Sequence, residues 1–111
     1  MNLQAETRGD LLVVRVEEER IDAAAAVQFK DRMRELVKAP GSRVMLDLSR
    51  VTFLDSSGLG AVVAVMKLLG PDRRLELAAL GPVVQKVFRL TRMDRVFVIH
   101  DRVPDGQPDA C

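Results

Sequence analysis

The stretch Leu46-Asp47-Leu48-Ser49-Arg50-Val51-Thr52-Phe53-Leu54-Asp55-Ser56-Ser57-Gly58-Leu59-Gly60 constrains the fold more than any other. Val44-Met45-Leu46-Asp47-Leu48 shows little alternation and reads as a strand covered on both faces, the habit of an interior strand in an α/β sheet. A polar turn follows, and the apolar run from Leu59 to Met66 reads as a helix. Asp55, Ser56 and Ser57 are all good N-cap types, so both serines are expected at the mouth of that helix. The first N–H groups there lack partners within the helix and the dipole favours negative charge, so the mouth suits an anion or a phosphorylated hydroxyl.

Around this turn the chain alternates strands and helices. Leu3 to Ala5 and Leu11-Leu12-Val13-Val14-Arg15-Val16 read as a hairpin across Gly9-Asp10, and Glu17-Glu18-Glu19-Arg20 reads as a solvated loop. Asp22 precedes a helix with Ala26, Phe29, Met33, Leu36 and Val37 on one face and Lys30, Asp31, Arg34, Glu35 and Lys38 on the other. Ala39-Pro40-Gly41 ends it, and Gly70-Pro71 ends the helix after the serines. Leu75 to Leu80 is a strand, Gly81-Pro82 opens a helix containing Val83, Val84, Val87, Phe88 and Leu90, and Val96-Phe97-Val98-Ile99 is a last strand. The expected order is β-β-α-β-α-β-α-β: a single α/β domain over 1–103, with a mixed sheet of four to five strands and about three main helices. Residues 104–111, with Pro104, Gly106 and Pro108, read as a flexible tail.

Composition removes several function classes. With 48% hydrophobic and 30% charged residues and a formal net charge of +1, the 111-residue chain reads as globular, with no strong attraction for nucleic acid. It has four Phe and no Trp or Tyr, hence few stacking platforms for single strands. The lone cysteine, Cys111, has no disulfide partner, and a reducing cytoplasm is the natural setting. Met1 to Glu6 lacks the basic-then-apolar pattern of a signal peptide. Ser57 to Gly70 would be roughly 21 Å long, short of a bilayer core of about 30 Å, and it contains Lys67. No membrane insertion is expected.

Three readings compete for Ser56 and Ser57: helix capping, catalysis and regulatory phosphorylation. A hydrolase elbow wants Gly two places before its serine, where Leu54 or Asp55 stands, and the only histidine, His100, lies at the end of the last strand. Phosphate-binding loops, dinucleotide fingerprints and Cys/His metal clusters are missing from the sequence, so neither a cofactor nor a metal is expected. A phosphate beside Asp55 would instead change the surface a partner meets. The helix suits a partner, because Leu59, Val62, Val63, Met66 and Leu69 can face the sheet while Ala61, Ala64, Val65 and Leu68 fall on other faces. A second protein, a neighbouring helix or a homodimer could cover that outer side.

The segment Leu46-Asp47-Leu48-Ser49, then Val51 through Gly60, resembles the STAS domain of bacterial anti-sigma factor antagonists. Ile21-Asp22 and Val87-Phe88-Arg89-Leu90-Thr91-Arg92-Met93-Asp94-Arg95-Val96-Phe97 extend the resemblance over essentially Leu3 to Val103. The resemblance implies a cytoplasmic, non-enzymatic partner-switching protein. Its unphosphorylated form binds an anti-sigma serine kinase and frees the sigma factor, phosphorylation abolishes binding, and a PP2C-type phosphatase resets the cycle. The implied acceptor is Ser56, with Asp22, Asp55, Ser57 and Gly58 around it. Glu19 and Arg92 stand where such domains often carry Gly. An alternative implied by the same resemblance is a constitutive scaffold or accessory subunit of a stress-sensing complex or transporter, in which the serines only cap.

Overall fold

The structure, a computed structural model, describes residues 1–104, so the expected tail from Asp105 onward and Cys111 lie outside the described residues. Strands β1 (Leu3–Arg8) and β2 (Leu11–Val16) form the expected antiparallel hairpin, with Leu3 opposite Val16 and Arg8 opposite Leu11. A short β3 (Arg20–Ile21) leads into α1 (Ala23–Leu36), followed by β4 (Arg43–Asp47) and a short β5 (Phe53–Leu54). Helix α2 (Ser56–Leu69), β6 (Arg74–Ala78), α3 (Pro82–Leu90), a 3₁₀ turn at Met93–Arg95 and β7 (Val98–His100) complete the order.

The main sheet has five strands in the order β1-β2-β4-β6-β7, parallel throughout except for the β1–β2 hairpin. Its centre is β4, and the fully buried Val44, Met45 and Leu46 explain why this strand lacks alternation in the sequence. Leu12, Val14, Val16, Val44, Leu46, Leu75 and Leu77 share one core with Phe29 and Met33 of α1, Val62 and Val65 of α2, and Val84 and Phe88 of α3. All three helices therefore cover the same face. On the other face Val13, Met45 and Glu76 lie in one row across β2, β4 and β6. After β7 the chain returns over that face to the far edge, where Arg8 of β1 donates to the Pro104 carbonyl at 2.9 Å.

Two differences from the sequence-based reading bear on the site. Arg20–Ile21 and Phe53–Leu54 pair as a separate two-stranded parallel sheet, too short to announce itself by periodicity. The Glu17–Arg20 run is not simply solvated, because Glu17 has a side chain only 12% exposed that pairs with both Arg15 and Arg50, the latter at 2.6 Å.

Candidate functional site

The small β3–β5 sheet sets the geometry. Ile21 pairs with Leu54, so the next residue of each strand, Asp22 and Asp55, leaves the sheet at the same level. Each is an N-cap in extended conformation, and two helices start side by side from one register. Asp22 Oδ1 accepts from the Ala25 N–H at 3.1 Å, and Asp55 Oδ1 accepts from the Gly58 N–H at 2.9 Å. The second oxygen of Asp55 accepts from the Ala23 N–H at 3.2 Å, so the cap of α2 also ties down the first turn of α1. Both capping carboxylates meet the positive ends of two helices.

Further contacts lock Asp22. Arg20 Nε lies 3.4 Å from Asp22 Oδ2, and its guanidinium sits 4.1 Å over the Phe53 ring. The Ala25 N–H is the main influence holding the Asp22 carboxyl below its usual range, outweighing partial desolvation, and Arg20 adds to the effect.

Ser56 and Ser57 are the first two residues within α2, and both are exposed. The sequence allowed either serine to be the cap; the structure gives that role to Asp55, whose backbone is extended at φ −99° and ψ −173° while the serines are already helical. Among the described residues neither hydroxyl has a hydrogen-bond partner. The capping explanation for the serines is thereby removed, and both hydroxyls face outward beside two carboxylates. Helical position and exposure are set by the one-residue advance of the cap, a detail the run Asp-Ser-Ser leaves open.

Gly58 has a steric reason to be glycine. A Cβ on it would lie 1.9 Å from the Ile21 carbonyl oxygen and 2.8 Å from Leu54 Cδ1. This close approach lets the first turn of α2 press against the β3–α1 junction and brings Asp22 and Asp55 together.

The expected docking stripe needs correction. Ala61 and Val65, expected on the outer side of α2, are buried at 3% and 1% exposure. Helix α1 packs along α2, so the inward face of α2 runs through Gly58, Ala61, Val62, Val65 and Leu69, while Leu59, Val63 and Met66 are half-buried. Leu68 remains exposed and Ala64 half-buried, in a shallow groove of about 260 Å³ that Lys30, Arg34 and Lys67 also line.

A second polar cluster lies on the other face of the sheet. Glu76, 1% exposed, receives two 2.8 Å hydrogen bonds from Arg43, one of 3.2 Å from Arg74, and a 2.7 Å contact from His100 Nε2. The Arg43 hydrogen bonds are the largest influence drawing its carboxyl down to about 2, against the opposing effect of burial. Sequence reasoning passed over Glu76, although a lone carboxylate inside Leu75-Glu76-Leu77-Ala78 is a signal for a buried, paired charge. His100 is thus engaged with Glu76 and, among the described residues, makes no hydrogen bond to either serine. No group of three or more His, Cys, Asp or Glu side chains among the described residues could hold a metal, and none of their helices is long and apolar enough to cross a membrane.

The chain as a whole is similar to known proteins. The family model for the STAS domain matches residues 2–106. A STAS-domain-containing protein of Pseudomonas aeruginosa is 30% identical over 81 residues, covering 72% of this chain and 79% of its own length. The anti-sigma-F factor antagonist RsfB of Mycobacterium tuberculosis is 27% identical over 86 residues, covering 78% of this chain and 70% of RsfB. Among solved structures, the anti-sigma factor antagonist SpoIIAA in its unphosphorylated form superposes with a TM-score of 0.70 at 25% identity, covering 88% of this chain and 87% of that one. The phosphorylated form of Bacillus SpoIIAA gives 0.63 at 24% identity, covering 88% of this chain and 90% of that one, a likeness of fold.

Proposed function

The chain belongs to the STAS domain family, and from that premise we propose that it is an anti-sigma factor antagonist controlled by phosphorylation of Ser56. The unphosphorylated protein binds an anti-sigma factor that is itself a serine kinase and so releases the sigma factor. Phosphorylation of Ser56 ends that binding, and a PP2C-type phosphatase restores it. The protein acts in the cytoplasm as a binding partner and not as an enzyme.

The observation that carries this reading is the exposed Ser56 hydroxyl, without a hydrogen-bond partner among the described residues, directly after a cap that ties two helix starts together. Asp22 and Asp55 already occupy the N–H groups of Ala23, Ala25 and Gly58. A phosphate on Ser56, adding about −1.5 to −2 charges, would find these donors taken and would project its charge toward the partner. A hundredfold loss of affinity needs only about 2.7 kcal/mol, within reach of a dianion placed in an interface beside two carboxylates. Ser57, the half-buried Ala64 and the exposed Leu68 complete the docking side, while Gly58, Ala61 and Val65 act from within as packing.

The test is incubation with a cognate anti-sigma serine kinase and ATP, followed by mass spectrometry. One phosphate on Ser56, absent from Ser56→Ala, is the expected result. Equal labelling of Ser56→Ala at another residue would overturn the assignment.

A further inference from the structure

Beyond Lys67 and the helix-mouth site, the chain from α3 to β7 carries an unusual surface. Six large hydrophobic side chains are exposed on the described molecule, and four of them, Val83, Leu90, Val96 and Val98, lie here. Among the described residues no lysine or arginine after Arg74 forms an ion pair, whereas eight cations from Arg8 to Arg74 do. Lys86, Arg89, Arg92, Arg95 and Arg102 are all exposed, against only Asp94 and Asp101 of opposite sign in the same stretch.

Arg89, Leu90, Arg92, Arg95 and Val96 run together as a border from the end of α3 through the 3₁₀ turn toward β7, where Arg89 also lines a groove with Asp94 and Asp101, whereas Val98 pairs with Glu76 and lies on the sheet face away from α3. Val83, Lys86 and Leu90 follow i, i+3, i+7 spacing on the solvent stripe of α3, while Val84 and Phe88 turn to the core. Among the described residues strand β7 is an edge strand paired with β6 alone, so the backbone groups of its outer side point away from the sheet.

We propose that this border is a second docking surface, for an extended acidic segment of a partner protein laid beside β7. Carboxylates of the segment meet Arg89, Arg92 and Arg95, and its aliphatic side chains meet Leu90 and Val96. Four of the five cations are arginine, whose planar fork pairs bidentately with carboxylates. A second copy of this chain is a poor occupant, because it would set the same cations against each other. A lipid surface is a poor one too, since it offers no strand to the open edge of β7. This surface does not depend on Ser56 or on its modification.

The test is amide NMR titration of the full chain with a short peptide alternating glutamate and valine, its lysine-for-glutamate counterpart, and phosphatidylglycerol vesicles. The acidic peptide is expected to shift amides of residues 82–100, with affinity falling about tenfold or more in Arg89→Glu/Arg95→Glu and unchanged in Ser56→Asp and Lys30→Glu/Lys67→Glu. Should Arg95→Glu disturb the 3₁₀ turn, Lys86→Glu/Arg89→Glu on α3 provides the same test. Shifts centred elsewhere, equal binding of the lysine peptide, binding of vesicles with an inert peptide, self-association through this border, or no binding at all would each overturn the proposal.

Discussion

Two carboxylate sites sit on this domain, and they treat their charge in opposite ways. At the mouth of α1 and α2, Asp22 and Asp55 are held by backbone N–H groups and keep solvent contact, and the adjacent Ser56 and Ser57 hydroxyls face outward without a partner among the described residues. Across the sheet, Glu76 is sealed at 1% exposure and answered by Arg43, Arg74 and His100. The first site leaves two hydroxyls unpaired among the described residues; the second uses its polar groups up. Reading function from polar clusters therefore depends on which groups remain unpaired once the local hydrogen bonds are counted.

The largest expected effect comes from Gly58→Ala. Its Cβ would strike the backbone oxygen of Ile21, which cannot swing aside as a side chain can, so a loss of about 3 kcal/mol or more is expected in denaturant unfolding. A change below about 1 kcal/mol would break the claim that the two helix starts are pressed together.

Next in size is the buried cluster, read through pH. The Glu76 carboxyl titrates near 2 in the folded chain against an ordinary 4.5, so its contribution is fully present above about 4.5 and is lost as pH falls through about 2. Solvent reaches Arg43 and Arg74, which trims the effect to on the order of 2 kcal/mol. Thermal unfolding from pH about 5 to 2 is expected to show this loss in the natural chain and a flatter profile in Glu76→Gln. Equal slopes would mean that the site across the sheet is not charge-sealed.

Asp55→Ala is expected to cost about 1–2 kcal/mol, since it removes a cap and frees the Ala23 N–H as well. Asp22→Ala, with a single backbone partner, is expected to cost about 1 kcal/mol. Reversal of that order would contradict the bridging role of Asp55. Smallest of all, Ser56→Ala and Ser57→Ala are expected to stay within about 0.5 kcal/mol of the natural chain, because neither hydroxyl holds the fold. A larger loss would return the serines to capping and blur the contrast between the two sites.

The alternation of elements was legible because long amphipathic or fully apolar runs, such as Ala26–Phe29–Met33 and Val44–Met45–Leu46, declare their period. The pairing of Arg20–Ile21 with Phe53–Leu54 was not, since two residues carry no period, yet this pairing aligns Asp22 with Asp55. The facing of α2 was misjudged at Ala61 and Val65 for a related reason: a helix apolar nearly all round has no polar side to mark solvent, and only the position of α1 settles it. Arg92 shows the reverse. The resemblance leads to an expectation of Gly there, and the φ of +62° at Arg92 is the left-handed conformation that glycine adopts freely. Glu19, the other such departure, has no positive φ.

Calorimetric titration of the anti-sigma kinase with the unmodified chain, with the chain phosphorylated on Ser56, and with Ser56→Asp tests the central claim most directly. Tight binding of the unmodified chain is expected, with affinity about a hundredfold lower for the phosphorylated chain and clearly reduced for Ser56→Asp, both still folded. Equal affinity for the phosphorylated and unmodified chains would contradict the switch.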